Sequence, residues 1–279
     1  MNGPAGAPGP AVSPDRLDLW LVHGPPQSEA TAPGLPEIDF TGPGFSELDA
    51  TERRRAESFV RPAQALLYAT AHVALRRLLG RYTGVAPQDV RFVCEPCPGC
   101  GGAHGRPALA RTAPPLHFSL SHSAGLALVG IAAVPVGVDV ERLPREETVE
   151  VCAPALHPRE RAELARIPRG ERSEPFGRLW TRKEAYLKGI GTGLSRSPAH
   201  DYLGADRGGH PPGWAVFDVA CPPTHAAAAA VRGPAPRTVG IHRLELTDGA
   251  LATAATPYPR KVHTPCPEQK RRSSPGSAS

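Results

Sequence analysis

Val136–Glu141 reads VGVDVE, and its alternation decides the class of fold. In an extended strand, side chains two residues apart share a face. Val136, Val138 and Val140 therefore point one way, and Asp139 and Glu141 the other. The valine face belongs against a core. Two carboxylates together on the opposite face repel unless a cation lies between them. Hard oxygen ligands suit Mg²⁺, which takes one or two protein carboxylates and completes its shell with water and phosphate oxygens. The competing reading is a strand that runs out into a solvated acidic end.

Downstream, Trp180–Gly189 reads WTRKEAYLKG. The chain has four lysines, at 183, 188, 261 and 270, among 32 basic residues, and two of them fall in this stretch. On a helix Glu184 and Lys188 are i,i+4 neighbours, one turn after Trp180. A lysine ammonium is a compact charge that can follow a phosphate, where arginine offers a rigid fork. Two plainer readings compete: Thr181-x-x-Glu184 as a capping box that starts a helix, and Glu184–Lys188 as an exposed ion pair. Upstream, Phe118–Ser123 reads FSLSHS. Small hydroxyls around His122 could cradle a phosphate, or simply form a cap and turn. A hydrolase triad is disfavoured, because adjacent Ser and His seldom form the required hydrogen bond.

Around these stretches the pattern alternates strand and helix. Asp18–His23 has strand alternation; Ala63–Gly80 has a helical apolar stripe with Gly80 as stop signal. Val90–Cys94, His117–Leu120, Leu126–Ala132 and Val136–Val140 read as strands. Pro158–Arg166 and Phe176–Lys188 read as helices, and Trp214–Val219 and Val239–Leu246 as closing strands. Strand, helix and strand thus recur on either side of about residue 133. The class is α+β: two similar lobes, each a small sheet packed on helices, with the active site in the cleft between. The expected organisation is a flexible segment over 1–14, an N-terminal lobe over 15–133, a C-terminal lobe with the metal site over 134–256, and a disordered basic tail over 257–279.

Composition narrows the function. The net charge is +5. Arg260, Lys261, Lys270, Arg271 and Arg272 against Glu268 place four of those five charges in the tail. A nearly neutral body with a basic tail argues against a nucleic-acid binder. The start lacks the basic and apolar regions of a signal peptide. The longest apolar stretch, Ala124–Val138, is interrupted by Pro135 and too short for a bilayer. A cytoplasmic chain with no membrane partner is the expectation.

Cysteines lie at 94, 97, 100, 152, 221 and 266. Without a secretory signal a disulfide framework is disfavoured. Cys94, Cys97, Cys100 and His104 place four candidate Zn²⁺ ligands in eleven residues; a loop of reduced thiols is the alternative.

Taken together, G-V-D-V-E at 137–141, W-T-R-K-E-A-Y-L-K at 180–188, FSLSHS and the turn Gly105-Arg106-Pro107 resemble the 4′-phosphopantetheinyl transferase superfamily, of the surfactin-synthetase-activating type. The resemblance runs from about Asp18 to Leu246. It implies a monomer that transfers the 4′-phosphopantetheine of coenzyme A to a serine of an acyl- or peptidyl-carrier protein, releasing 3′,5′-ADP with Mg²⁺ as cofactor. It implies metal ligation by Asp139, Glu141 and Glu184, and pyrophosphate contacts from Lys183 and Lys188. His122 would contact the 3′-phosphate or ribose, Ser121 would belong to the cofactor-binding set, and Arg106 and Pro107 would lie by the adenine. Whether Glu184 or a hydroxide it orients takes the serine proton stays open. One departure stands out: where the family shows R-P-x-D-R, this chain has Arg61-Pro62-Ala63-Gln64-Ala65. Arg61, or one of Arg53, Arg54 and Arg55, would then replace the missing arginine at the 3′-phosphate. A metal-dependent phosphohydrolase would also explain the carboxylates, and a zinc-containing binding module would explain the cysteines.

Overall fold

Strand alternation on both faces of β1 organises the chain. A computed structural model describes residues 12–24, 38–110, 114–247 and 250–254. Most of the segment 1–14 and all of the tail 257–279 lie outside the described residues. The elements are β1 (Arg16–His23), α1 (Ala50–Glu57), α2 (Pro62–Thr83), β2 (Phe92–Cys94), β3 (Pro107–Leu109), β4 (His117–Ser123) and β5 (Leu126–Ala132). They continue as β6 (Val136–Arg142), α3 (Glu146–Cys152), α4 (Pro158–Ala165), α5 (Ser173–Ile190), β7 (Trp214–Asp218), β8 (His225–Arg232), β9 (Thr238–Thr247) and β10 (Ala250–Ala254).

The larger sheet runs β10-β9-β1-β5-β4 and the smaller β6-β8-β7; β2 and β3 form a separate hairpin. Trp20 and Val22 of β1, with Ala127, Val129 and Ile131 of β5, face Leu75, Leu78 and Leu79 of α2. The alternate residues Leu17, Leu19 and Leu21 pack with Val136, Val138 and Val140 of β6 and Ala227, Ala229 and Val231 of β8. On its outer side the smaller sheet meets Ala185, Tyr186 and Leu187 of α5 through Ala228 and Ala230. The layers are helix, sheet, sheet, helix, so each small sheet carries its own helix as expected. A one-residue slip of β1 would take three leucines out of the inter-sheet core, each worth about 1.5–3 kcal/mol.

Because β1 is covered on both sides, Asp18 does not point to solvent as simple alternation suggests. It is buried and accepts hydrogen bonds from Arg16 Nε and, at 2.8 Å, from Tyr82 Oη. The stretch Val239–Leu246 is a strand as expected, within β9, and runs parallel to β1 in the larger sheet. One further expectation is corrected. Helix α2 passes through Gly80 and stops at Gly84, whose φ of 73° is the left-handed conformation glycine adopts without strain. Gly80 is needed inside the helix because a Cβ there would approach the Val85 carbonyl oxygen to 2.7 Å.

Candidate active site

The outer strand of each sheet, β4 and β6, lie side by side without pairing, and serine hydroxyls join them. Ser119, Ser121 and Ser123 share one face of β4. Val138 N donates to Ser119 Oγ at 3.0 Å, Ser121 Oγ donates to Asp139 Oδ1 at 2.8 Å, and Ser123 Oγ donates to Glu141 Oε2 at 2.7 Å. Two of the FSLSHS hydroxyls, Ser121 and Ser123, therefore hold the carboxylates of VGVDVE. His122 and Leu120, on the other face, turn toward α2, where His122 meets Tyr68 edge-on at 5.9 Å.

Gly137 brings the third piece into place. A Cβ at Gly137 would overlap the Ala185 carbonyl and the Gly189 backbone, so only glycine lets α5 lie this close to β6. That approach lays Lys188 against Asp139: its Nζ donates to Asp139 Oδ1 at 2.7 Å and to Ser121 Oγ at 3.0 Å. Helix α5 begins at Ser173, so Thr181 sits in mid-helix and caps nothing, and Lys188 pairs across to β6.

Asp139 is buried and its Oδ2 has no hydrogen-bond partner. A buried carboxylate oxygen left bare costs about 1–3 kcal/mol or more, which a cation would offset. Burial first, and then the Asp139 charge, push the Glu184 carboxyl above its ordinary range; the charge of Glu141 adds to this and Lys188 opposes it. Glu141 is likewise raised, by burial foremost and by Asp139, with Ser123 and Lys188 opposing. The two remaining carboxyls thus lie within reach of Asp139's charge. Three oxygen donors, one of them orphaned, fit a hard divalent ion. Among the described residues only Cys97, Cys100 and His104 bring three ligand atoms within 4.8 Å of one another, so the carboxylates stand further apart than that.

Between the lobes lies a cleft of about 990 Å³. Its walls include Ser121 and His122 of β4, Arg106 and Pro107 at the base of the β2–β3 hairpin, Glu141 of β6 and Lys188 of α5. Arg106 is fixed by Glu95 Oε2 at 2.7 Å and the Gly189 carbonyl at 3.1 Å, and its buried Nε is unpartnered. Burial foremost, with His72 and Lys188 close by, lowers the His122 pKa to about 4, so the ring is neutral at pH 7. It can donate one N–H there.

Other expected residues are elsewhere. Lys183 is enclosed, with its ammonium 2.8 Å from Glu160 Oε2 and bonded to the carbonyls of Pro198 and Asp201. On a helix it lies about 140° round from Lys188, which turns it away from the cleft. It ties α5 to α4 and the loop beyond. Arg61, the N-cap of α2, and Arg54 of α1 are both exposed and form no part of the cleft wall. The wall that α2 does supply includes Tyr68 and His72, whose rings are tilted by 31° with centroids 4.1 Å apart, and His72 Nδ1 is 3.1 Å from Glu52 Oε1. Sequence reasoning missed both. The signal was present: an aromatic and a histidine four residues apart, amid the Ala- and Leu-rich first half of the helix.

Residues 135–213, which span β6, α5 and the loops to β7, match the family model of the 4′-phosphopantetheinyl transferase superfamily. The resemblance read from the motifs holds. A putative 4′-phosphopantetheinyl transferase from Synechocystis sp. is 32% identical over 149 residues, 52% of this chain and 57% of that protein. The 4′-phosphopantetheinyl transferase HetI from Nostoc sp. is 36% identical over 149 residues, 52% and 60% of the two chains. Sfp, a 4′-phosphopantetheinyl transferase of Bacillus subtilis, is 24% identical over 144 residues, 52% and 60%. The matched stretch spans less than two thirds of the length of these relatives. Among the described residues, no helix is long and apolar enough to cross a membrane.

Proposed function

We propose that the protein moves the 4′-phosphopantetheine arm of coenzyme A to a serine hydroxyl of an acyl- or peptidyl-carrier protein. The observation that carries this is the bare, buried Asp139 Oδ2 beside Lys188, which with Glu141 lines the cleft. Breaking a diphosphate demands a fixed place for negative charge more than covalent chemistry. Asp139, Glu141 and Glu184 would hold Mg²⁺, and that ion would supply charge neutralisation at the diphosphate oxygens. The serines of β4 hold the two β6 carboxylates in place, which lowers the cost of ordering them when substrate arrives. Lys188 offers donors to a phosphate oxygen from the same wall. A serine hydroxyl entering from the open side needs a base, and Glu184 is the choice, as a carboxyl one turn before Lys188.

His122, with its single N–H and its aromatic neighbour Tyr68, suits the ribose 3′-phosphate end of coenzyme A, and Arg106 and Pro107 suit the adenine. The missing arginine of the R-P-x-D-R segment is not replaced at the wall by Arg61 or Arg54; His72 is the basic side chain α2 presents there. Carrier proteins are acidic around their serine, so encounter should slow as salt is added.

The test is incubation of the protein with coenzyme A, Mg²⁺ and an apo carrier protein, read by mass spectrometry. A carrier heavier by one phosphopantetheine supports the proposal. Release of 3′,5′-ADP without carrier would show a hydrolase, and no reaction with any carrier would contradict both.

A further inference from the structure

The hairpin that carries Arg106 and Pro107 holds a second cluster, unrelated to the carboxylates. Between β2 and β3 the chain folds into a tight loop: Gly101 N donates to Cys97 O at 2.8 Å and Cys97 N to Gly102 O at 2.8 Å. Gly101 has a φ of 72°, which favours glycine. A Cβ at Gly102 would press to 2.9 Å on the His104 ring and 3.4 Å on Cys100 Sγ. The glycines thus let three soft donors converge. Cys100 Sγ lies 2.9 Å from His104 Nε2, and Cys97 Sγ joins them within 4.8 Å. The backbone N–H groups of Gly99 and Cys100 both point at Cys97 Sγ, an arrangement that disperses thiolate charge. Cys94, on β2 where it pairs with Pro107, is not part of the group.

We propose that Cys97 Sγ, Cys100 Sγ and His104 Nε2 hold one Zn²⁺, with a solvent molecule in the fourth position. Two thiolates and an imidazole select zinc over the hard cations that suit carboxylates. Cys97–Pro98–Gly99–Cys100 has the two-residue spacing of zinc turns, and His104 follows four residues later. The loop leans on the opposite lobe: Cys97 Sγ is 4.0 Å from Ser195 Oγ, and Pro98 and Arg106 border Gly191 just past α5. A metal here would therefore fix one wall of the cleft, acting on Arg106 and Pro107 by position alone.

The full chain, purified without chelators, should carry about one zinc per molecule by elemental analysis. Cobalt substitution should give the d–d bands of a tetrahedral ion and a thiolate charge-transfer band. Cys100→Ser and the exposed His104→Ala should each weaken zinc binding more than about tenfold, while Cys94→Ser keeps it. Circular dichroism shows whether each variant is folded; the cobalt spectrum of His104→Ala, altered or absent, decides the matter even if Cys100→Ser unfolds. A zinc-free chain that takes up no cobalt, or a Cys97–Cys100 disulfide by mass, would overturn the site. Loss of metal in folded Cys94→Ser would overturn the three-ligand assignment. None of these readouts depends on phosphopantetheine transfer.

Discussion

A methyl group at position 137 has nowhere to go. In Gly137→Ala the new Cβ would overlap backbone atoms of Ala185 and Gly189, which cannot rotate aside as a side chain would. Overpacking of this kind costs about 1–3 kcal/mol, and the relief available is a shift of α5 away from β6. That shift carries Glu184 and Lys188 with it, away from Asp139. A displacement of about 1 Å at a reacting site lowers rates by about 10²-fold. A domain of ordinary stability survives the energetic loss, so the variant should fold and yet transfer about a hundredfold more slowly. Urea unfolding and a carrier-mass assay at saturating Mg²⁺ measure the two effects. Leu156→Ala is the control: Leu156 is fully buried in a separate cluster with Val149 and Phe176, and its truncation costs about 2–5 kcal/mol. It should lose stability and keep its rate. Wild-type transfer by Gly137→Ala, or an equal rate loss in Leu156→Ala, would refute the reasoning.

Asp139→Ala should abolish transfer with the fold intact, measured as turnover beside a circular dichroism spectrum. Lys188→Ala should raise the coenzyme A concentration needed for half-maximal rate, and an unchanged value would remove it from the site. Lys183→Met, by contrast, leaves Glu160 charged and buried, so stability should fall by about 3–5 kcal/mol in urea while the coenzyme A requirement of the folded protein stays the same. His122 gives a pH signature. Its folded pKa of about 4 is depressed from 6.5, so the unfolded chain binds the proton first as pH falls. Its contribution is present above about pH 6.5 and is lost as pH drops toward 4; His122→Gln should flatten that part of the stability profile.

How far the sequence carries depends on whether neighbours along the chain or across it decide a residue's role. The valine–carboxylate alternation of Val136–Glu141 is local, and the strand, its buried face and its acidic face all appear where expected. The helix of Lys188 is equally local. Lys183 shows the limit: five residues from Lys188, it pairs instead with Glu160 on α4, and only the packing of α4 beside α5 reveals that. The serines of β4 are another case. Their period of two was visible, but that their partners lie on β6, in a different sheet, depends on how the two sheets meet. Val239–Leu246 reads as a strand from its own residues, while its parallel pairing with β1, more than 200 residues earlier, rests on topology. Arg61 and Arg54 were placed by a family pattern this chain departs from, and both stand in solvent, Arg61 at the start of α2 and Arg54 in the last turn of α1.

A crystal structure of the protein with coenzyme A and Mg²⁺ speaks most directly to the carboxylate site. The expected density is one ion touching Asp139 Oδ2, Glu141 and Glu184, with the diphosphate beside Lys188. An ion bound elsewhere, or a diphosphate seated away from β6 and α5, would contradict the assignment.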